Sequence, residues 1–384
     1  MSIKKKLAKS QKQRATSLWE GPESSNWNGG VSQSMLHSFL VCRERFRIKY
    51  VLGLGPPDDF NHSIEFGNLW HACEEALSGH HADPWKLLDL HVSKLLKTYP
   101  MKQEDIIKWY EIVKLQFPIY VEYWKQNDTQ AKHRKPILQE GVFCEPYVLP
   151  SGRTVFLKGK WDAVDLVGGK IYLQENKTKG TIEQDVIMRQ LSFDLQTMLY
   201  LSALQTAINA TYETPLSKLK KKALGGVRYN VIRRPLSGGK GSIRQKKNQT
   251  LEEYYDELAQ IITNAKGSDW GMPEGEHYFF MRWKVDVSKF DVLNFQLQFL
   301  SPILEQLCSW WNWVSKCLES GRDVWGNPIH WRAPYGTYSP LYNGKPTDVD
   351  HYLETGSTVG LVRKERLFRE LEDENELEGS ALVG

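Results

Sequence analysis

Gly159-Lys160-Trp161-Asp162-Ala163-Val164 and, after Gly168-Gly169, Leu173-Gln174-Glu175-Asn176-Lys177-Thr178-Lys179-Gly180 decide the fold. Thr154 to Val167 alternates as a strand, the two glycines have the composition of a two-residue hairpin turn, and Lys170 to Asn176 alternates again. A hairpin centred on those glycines sets Asp162 opposite Glu175. Glu175 and Lys177 are two apart, so both point to one face. Two carboxylates and an ammonium then share one small patch. Carboxylate oxygens are hard ligands suited to Mg²⁺ or Mn²⁺, and the main-chain carbonyl of Asn176 between the two side chains offers one more. Lys177 would stand beside such an ion, placed to orient a water, help remove its proton or offset charge on a phosphate. The plainer alternative is cross-strand charge pairing on a solvated face, worth roughly 0.2–1 kcal/mol. Taken alone, the spacing of Asp162, Glu175 and Lys177 does not decide between them.

On the N-terminal side the hydrophobic period is helical. Met35, Phe39, Cys42, Phe46 and Tyr50 predict a helix over Ser34 to Val51, ended by the Gly53 to Pro57 cluster. A second helix is expected from Ile64 to Leu77, and further helices across 84–126. Ile137 to Leu149 reads as the first strand. On the C-terminal side, Asp185 to Thr206 has helical spacing, Gly225 to Ile232 strand alternation, Leu251 to Asn264 helical spacing and Glu276 to Val287 strand alternation. A long helix or pair, rich in Leu, Phe and Trp, follows from Val292 to Leu318. Helices, three strands, helix and strand in that order predict an α/β fold, a mixed core with helical additions.

The 384 residues are 25% charged and 41% hydrophobic, which excludes a collagen, a wholly disordered chain and a coiled-coil rod. No apolar run approaches the roughly 18 residues of a membrane span, and Met1 to Lys12 lacks the apolar core of a secretory signal. Five scattered cysteines without a CxxC pair fit a reducing, cytoplasmic setting. The net charge of +4 conceals an uneven distribution. Residues 1–50 hold ten Lys/Arg against three acids, residues 214–251 hold eleven and no acid, and Glu370 to Glu378 holds six acids and no base. Basic segments of this kind suit a polyanion, usually nucleic acid, although a solvated loop explains the charge equally well. Lys220, Lys221, Lys222, Arg228, Arg233 and Arg234 are the expected DNA-tracking residues, since phosphate contacts give affinity without reading sequence. Ser237-Gly238-Gly239-Lys240-Gly241-Ser242 lacks the spacing of a phosphate loop, so no ATPase motor is expected.

Five motifs in order resemble the RecB-type branch of the PD-(D/E)XK nuclease superfamily. They are Ser32 to Leu36 with Cys42 to Phe46, Tyr50 and Val51; Gly67-Asn68-Leu69-Trp70-His71; Gly159 to Asp162; Glu175-Asn176-Lys177-Thr178; and Gln196-Thr197-Met198-Leu199-Tyr200. The resemblance spans Ser32 to Tyr200, about half the chain. It implies a restriction-endonuclease-like core, a central mixed sheet flanked by helices, with a helical insertion at about 78–135 and a helical C-terminal extension. Residues 1–30 would then form a flexible basic arm, 31–360 the nuclease domain with a basic loop at about 235–250, and 361–384 an acidic tail.

The resemblance also implies roles. His71, Asp162, Glu175 and the Asn176 carbonyl would bind Mg²⁺ or Mn²⁺. Lys177 would be the catalytic lysine, with Gln196 and Tyr200, one helical turn apart, touching the DNA backbone or supporting it. Glu140 reads either as an acid supporting the site or as an exposed residue. Some members of the branch carry an iron–sulfur cluster. Cys42 occupies the first ligand position, but His330 to His351 contains no cysteine, and Cys308 and Cys317 have the wrong spacing. No cluster is expected; Cys42 becomes a small core residue and the aromatic run Trp325 to Tyr352 a clasp in its place. The implied activity is DNA exonuclease in recombination, repair or phage DNA metabolism, in a bacterial or phage-infected cell. The expected partners are DNA and a protein of a recombination or replication complex, with no membrane. The alternatives are a flap-type endonuclease, an idle DNA-binding or assembly subunit, and an RNA-processing enzyme.

Overall fold

The computed structural model describes residues 17–79, 83, 85–128, 133–192, 194–210, 214–236, 242–266, 277–322, 350–355, 357–368 and 371. Most of the expected basic arm and acidic tail, part of the basic loop and most of the aromatic clasp lie outside these residues.

Val31–Ser32 (β1) leads into Gln33–Val41 (α1), whose cap Ser32 accepts the Met35 N–H. The single helix expected to Val51 breaks at Cys42. That residue is extended, and its Sγ accepts the Arg45 N–H at 3.0 Å, capping Arg43–Phe46 (α2). A π-turn over Arg47–Val51 and Leu54–Gly55 (β2) follow. Next come His62–Ser78 (α3), Lys86–Thr98 (α4) and Gln103–Asn127 (α5). Arg134–Val148 (β3), Thr154–Val167 (β4) and Lys170–Lys179 (β5) are antiparallel neighbours.

The helix expected from Asp185 to Thr206 is two, Gln184–Leu191 (α6) and Leu195–Asn209 (α7). Asp194 causes the division. Its carboxylate accepts the N–H groups of Gln196 and Thr197 and starts α7 anew. Ala223–Arg233 (β6), Leu251–Thr263 (α8), Phe280–Asp286 (β7) and Lys289–Phe295 (α9) follow. A π-turn over Gln296–Leu300 joins α9 to Ser301–Glu319 (α10). Asp350–Thr355 (α11) and Val362–Arg363 (β8) come last, and β8 pairs with β2.

Among the described residues the main sheet has six strands, with β3, β4, β5, β6 and β7 side by side and β1 parallel to the first half of β4. β5 and β6 are parallel and β7 is antiparallel to β6, so the sheet is mixed. Gly168 and Gly169 both have positive φ, 57° and 82°, as the tight turn joining β4 to β5 requires.

Successive residues of β6 reveal the two layers. The Tyr229 hydroxyl donates to the Leu191 carbonyl and bonds Thr197, so one face is covered by α6 and α7. Asn230 points the other way, donating to the Tyr120 hydroxyl of α5 and to Glu74 of α3. α5, within the segment expected as an insertion, therefore lies directly on the sheet, and Gln116 donates to the Arg233 carbonyl. At the C-terminal side, Trp310 packs edge-on against Phe39 and Phe46, and Trp311 meets Trp19 at a tilt. Trp310 is thus a core residue, while Trp313 is partly exposed.

Gly159 on β4 allows a close approach. Phe143 stacks on Trp161 with centroids 4.4 Å apart and meets Tyr200 edge-on. A Cβ on Gly159 would lie 2.7 Å from Phe143 Cζ and 3.0 Å from Tyr200 Cε1. Overpacking of this kind costs about 1–3 kcal/mol. We expect Gly159→Ala to lower the unfolding free energy measured in urea by that amount; an unchanged value would show that the rings have room to move.

Candidate active site

The last paired position of the β4–β5 hairpin is Ala163 with Gln174. Beyond it the strands part, one step before Asp162 would meet Glu175. The main-chain N–H of Asn176 donates to Asp162 Oδ2 at 2.6 Å, so a carboxylate spans the gap. The other Asp162 oxygen lies 3.9 Å from His71 Nδ1. His71 comes from α3 on one layer, Gln196 and Tyr200 from α7 on the other. The site lies where the layers meet at the parted strands.

Glu140 is the residue that sequence reasoning undervalued. β3 pairs Gln139 with Ala163 and Gly141 with Trp161, which sets Glu140 across from Asp162. Its φ is +47°, and it is the non-glycine residue with positive φ among those described. The kink buries its carboxylate, which lies 3.0 Å from His71 Nδ1 and 2.6 Å from Lys160 Nζ. One ligand atom each from His71, Glu140 and Asp162 lie within 4.8 Å of one another. The acid before Gly141 was visible in the sequence; its inward turn was not.

Glu175 and Lys177 share their face with Gln196. Lys177 Nζ donates to Glu175 Oε1 at 2.5 Å and to Gln196 Oε1 at 2.9 Å. Gln196 Nε2 donates to the same Glu175 oxygen at 2.7 Å. The Gln196 amide is thus bonded at both ends, which fixes its orientation. Glu175 Oε2 is buried without a hydrogen-bond partner. Tyr200 reaches the Gln196 side chain and the Lys160 main chain. On the alternate face, Asn176 Oδ1 accepts from Asn230 at 3.0 Å.

Burial and neighbouring charge set the proton affinities. Burial pushes Glu175 up to about 7, against the pull of Lys177. It raises Asp162 as well, with Glu140 adding to the effect. Burial works to lower His71, but the Asp162 and Glu140 carboxylates outweigh it and carry the imidazole to about 9. Burial would raise Glu140, but His71 and Lys160 hold it below the usual carboxylate range. Lys177 is held above its usual value by Glu175, against the cost of burial. Near neutral pH the cluster therefore uses imidazolium and ammonium groups to balance buried acids.

The family model of the PD-(D/E)XK nuclease superfamily matches residues 30–277. The chain belongs to the PD-(D/E)XK nuclease superfamily. A search among curated proteins finds no match. Nucleases of this superfamily use divalent metals, and the residues here fit such an ion. The imidazole of His71 and the carboxylates of Glu140 and Asp162 form a donor set suited to a hard cation, and Glu175, whose Oε2 is buried without a partner, lies within electrostatic range of Asp162.

The expected DNA-tracking residues separate into three groups. Lys220, Lys221 and Lys222 are exposed but precede β6, which starts opposite Lys170. Lys177 lies seven residues further along β5, about 23 Å away. Lys220 also donates to the Ala210 carbonyl. Arg228 is buried, 2.9 Å from Asp128, and is a structural ion-pair residue. Arg233 is buried as well, bonded to the Gly180 carbonyl and packed on the Tyr278 and Phe279 rings. These two corrections have one cause: β6 is interior, so its side chains point into the helical layers. Arg234, just past β6, remains half-buried at the end of the sheet that carries the site.

A cation that takes an imidazole nitrogen must displace its proton. With His71 titrating at about 9, Mn²⁺ affinity should rise about tenfold per pH unit between pH 7 and 9. Isothermal calorimetry in buffers of different ionisation enthalpy measures both the affinity and the released proton. An affinity flat across this range would contradict ligation by His71.

Proposed function

We propose that the chain is a metal-dependent DNA nuclease of the RecB type, acting as an exonuclease on phosphodiester bonds. The observation that carries this reading is the half-buried Lys177 ammonium, bonded to Glu175 and Gln196 beside the group of His71, Glu140 and Asp162. Superfamily membership supports metal-dependent nuclease chemistry in general; the exonuclease assignment rests on the RecB-type series of motifs.

In this reading His71, Asp162, Glu175 and the Asn176 carbonyl hold Mg²⁺ or Mn²⁺, with Glu140 joining them or fixing His71. The ion supplies Lewis acidity toward the phosphodiester and lowers the pKa of water. Asp162 is aimed by the Asn176 N–H, so its free oxygen faces the ion site. Lys177 is an ammonium donor here. It offsets negative charge growing on the phosphoryl oxygens and orients the attacking water. Gln196 keeps the ammonium and the Glu175 carboxylate in register, and Tyr200 borders the phosphate from α7. The process served would be recombination, repair or phage DNA metabolism in the cytoplasm, with a protein partner in that process.

The test is cleavage of end-labelled linear and closed circular single-stranded DNA with Mg²⁺, Mn²⁺ or EDTA. Wild type should degrade the linear strand alone, and only with metal. Lys177→Ala should lose about a hundredfold or more in rate while still binding DNA. Cutting of the circle would replace the exonuclease reading with an endonuclease one, and full activity in the variant would refute the site.

A further inference from the structure

β5 does not end at the catalytic pair. Glu175, Lys177 and Lys179 alternate along it, so all three side chains leave from one face, and Lys179 stands about 7 Å beyond Lys177. The Arg234 N–H donates to the Lys179 carbonyl at 2.8 Å, which fixes that residue beside the strand end. The backbone there is firmly held. Buried Arg233 is bonded to the Gly180 carbonyl and packed on Tyr278 and Phe279, while Gln116 binds its own carbonyl.

Lys179 and Arg234 are therefore two cations on a fixed frame, and Lys179 lies within electrostatic range of both Arg234 and Lys177. Among the described residues neither side chain forms an ion pair, and Arg234 Nε is buried with no hydrogen-bond partner. The acid that faces Lys179 is Asp194, but its oxygens are committed. They accept from the N–H groups of Gln196 and Thr197, the Thr197 hydroxyl and the Tyr229 hydroxyl. Half-buried like charges without acceptors are costly. Burial, Lys177 and Arg234 together hold the Lys179 ammonium below its usual pKa. An anion arriving at this point relieves that cost.

We propose that Lys179 and Arg234 form a phosphate subsite that grips the backbone of a single nucleic-acid strand next to the phosphate engaged by Lys177. The subsite deepens the nuclease reading and rests on it. It also moves the strand's path away from Lys220, Lys221 and Lys222, which lie at the opposite end of β5. A strand leaving the site over Lys179 brings its next phosphate to these two cations, and the contact reads no base.

The test is binding of a fluorescent single-stranded oligonucleotide to the full chain in EDTA, by anisotropy across a salt series. Lys179→Gln and Arg234→Gln should each reduce the slope of log K against log salt by about 0.7, and the double variant by about 1.4. Lys179→Arg should keep the wild-type slope, and so should Lys221→Gln. Thermal midpoints equal to wild type establish that each variant is folded; if Arg234→Gln is not, Lys179→Gln alone carries the test, and an unchanged slope in it overturns the subsite. An unchanged slope in the double variant, or an equal loss in Lys221→Gln, would overturn the subsite. The outcomes remain separable from those of the cleavage assay. Reduced slopes in a chain that cuts nothing would remove the nuclease reading and leave the subsite standing. Unchanged slopes in an active enzyme would do the reverse.

Discussion

The site depends on one hydrogen bond, from the main-chain N–H of Asn176 to the Asp162 carboxylate. Two hairpin strands must separate for acids to gather between them, and separation leaves backbone groups in need of partners. Asp162 meets that need from the neighbouring strand. The same bond aims its other oxygen toward His71. Further support comes from behind Asn176, where Asn230, Tyr120, Arg282 and Asp128 form a buried chain of hydrogen bonds. Geometry at the reacting end is thus tied to packing between β6 and α5.

The second constraint is charge. Glu140, Asp162 and Glu175 converge in a place where water is largely excluded, and burial alone would protonate them. Three cations answer: His71 between Glu140 and Asp162, Lys160 on Glu140, and Lys177 on Glu175. A divalent ion would take over much of this balancing. The proton on His71 and a metal would then compete for one nitrogen, which would couple metal affinity to pH. Lys177 keeps a role in either state because Gln196 also holds it.

Much of this was legible in the chain. The Gly168-Gly169 turn and the alternation around it specified the hairpin, and its register brought Asp162 and Glu175 to the point where the strands part. The Gln196 and Tyr200 spacing specified one helical face. What escaped depended on conformation or topology. The inward turn of Glu140 follows from a backbone kink that composition does not signal. Cys42 and Asp194 divide expected helices by capping the next segment, a role that a hydrophobic period hides. Counting charges located a basic segment but not its burial. Arg228 and Arg233 face helical layers because β6 lies inside the sheet. Lys220, Lys221 and Lys222 fall at the far end because β6 runs parallel to β5, so whatever precedes it sits where β5 begins. The same alternation aligns Lys179 with Lys177, but only the end of β6 beside it gives Lys179 a neighbouring cation.

The parted strands and α3 would together build one divalent-metal centre. Anomalous diffraction from crystals soaked in Mn²⁺ tests it most directly. A manganese peak bound by His71 and Asp162, in contact with Glu140 or Glu175, is the expected result. Absence of a peak there at saturating Mn²⁺, or a peak held by other residues, would contradict it.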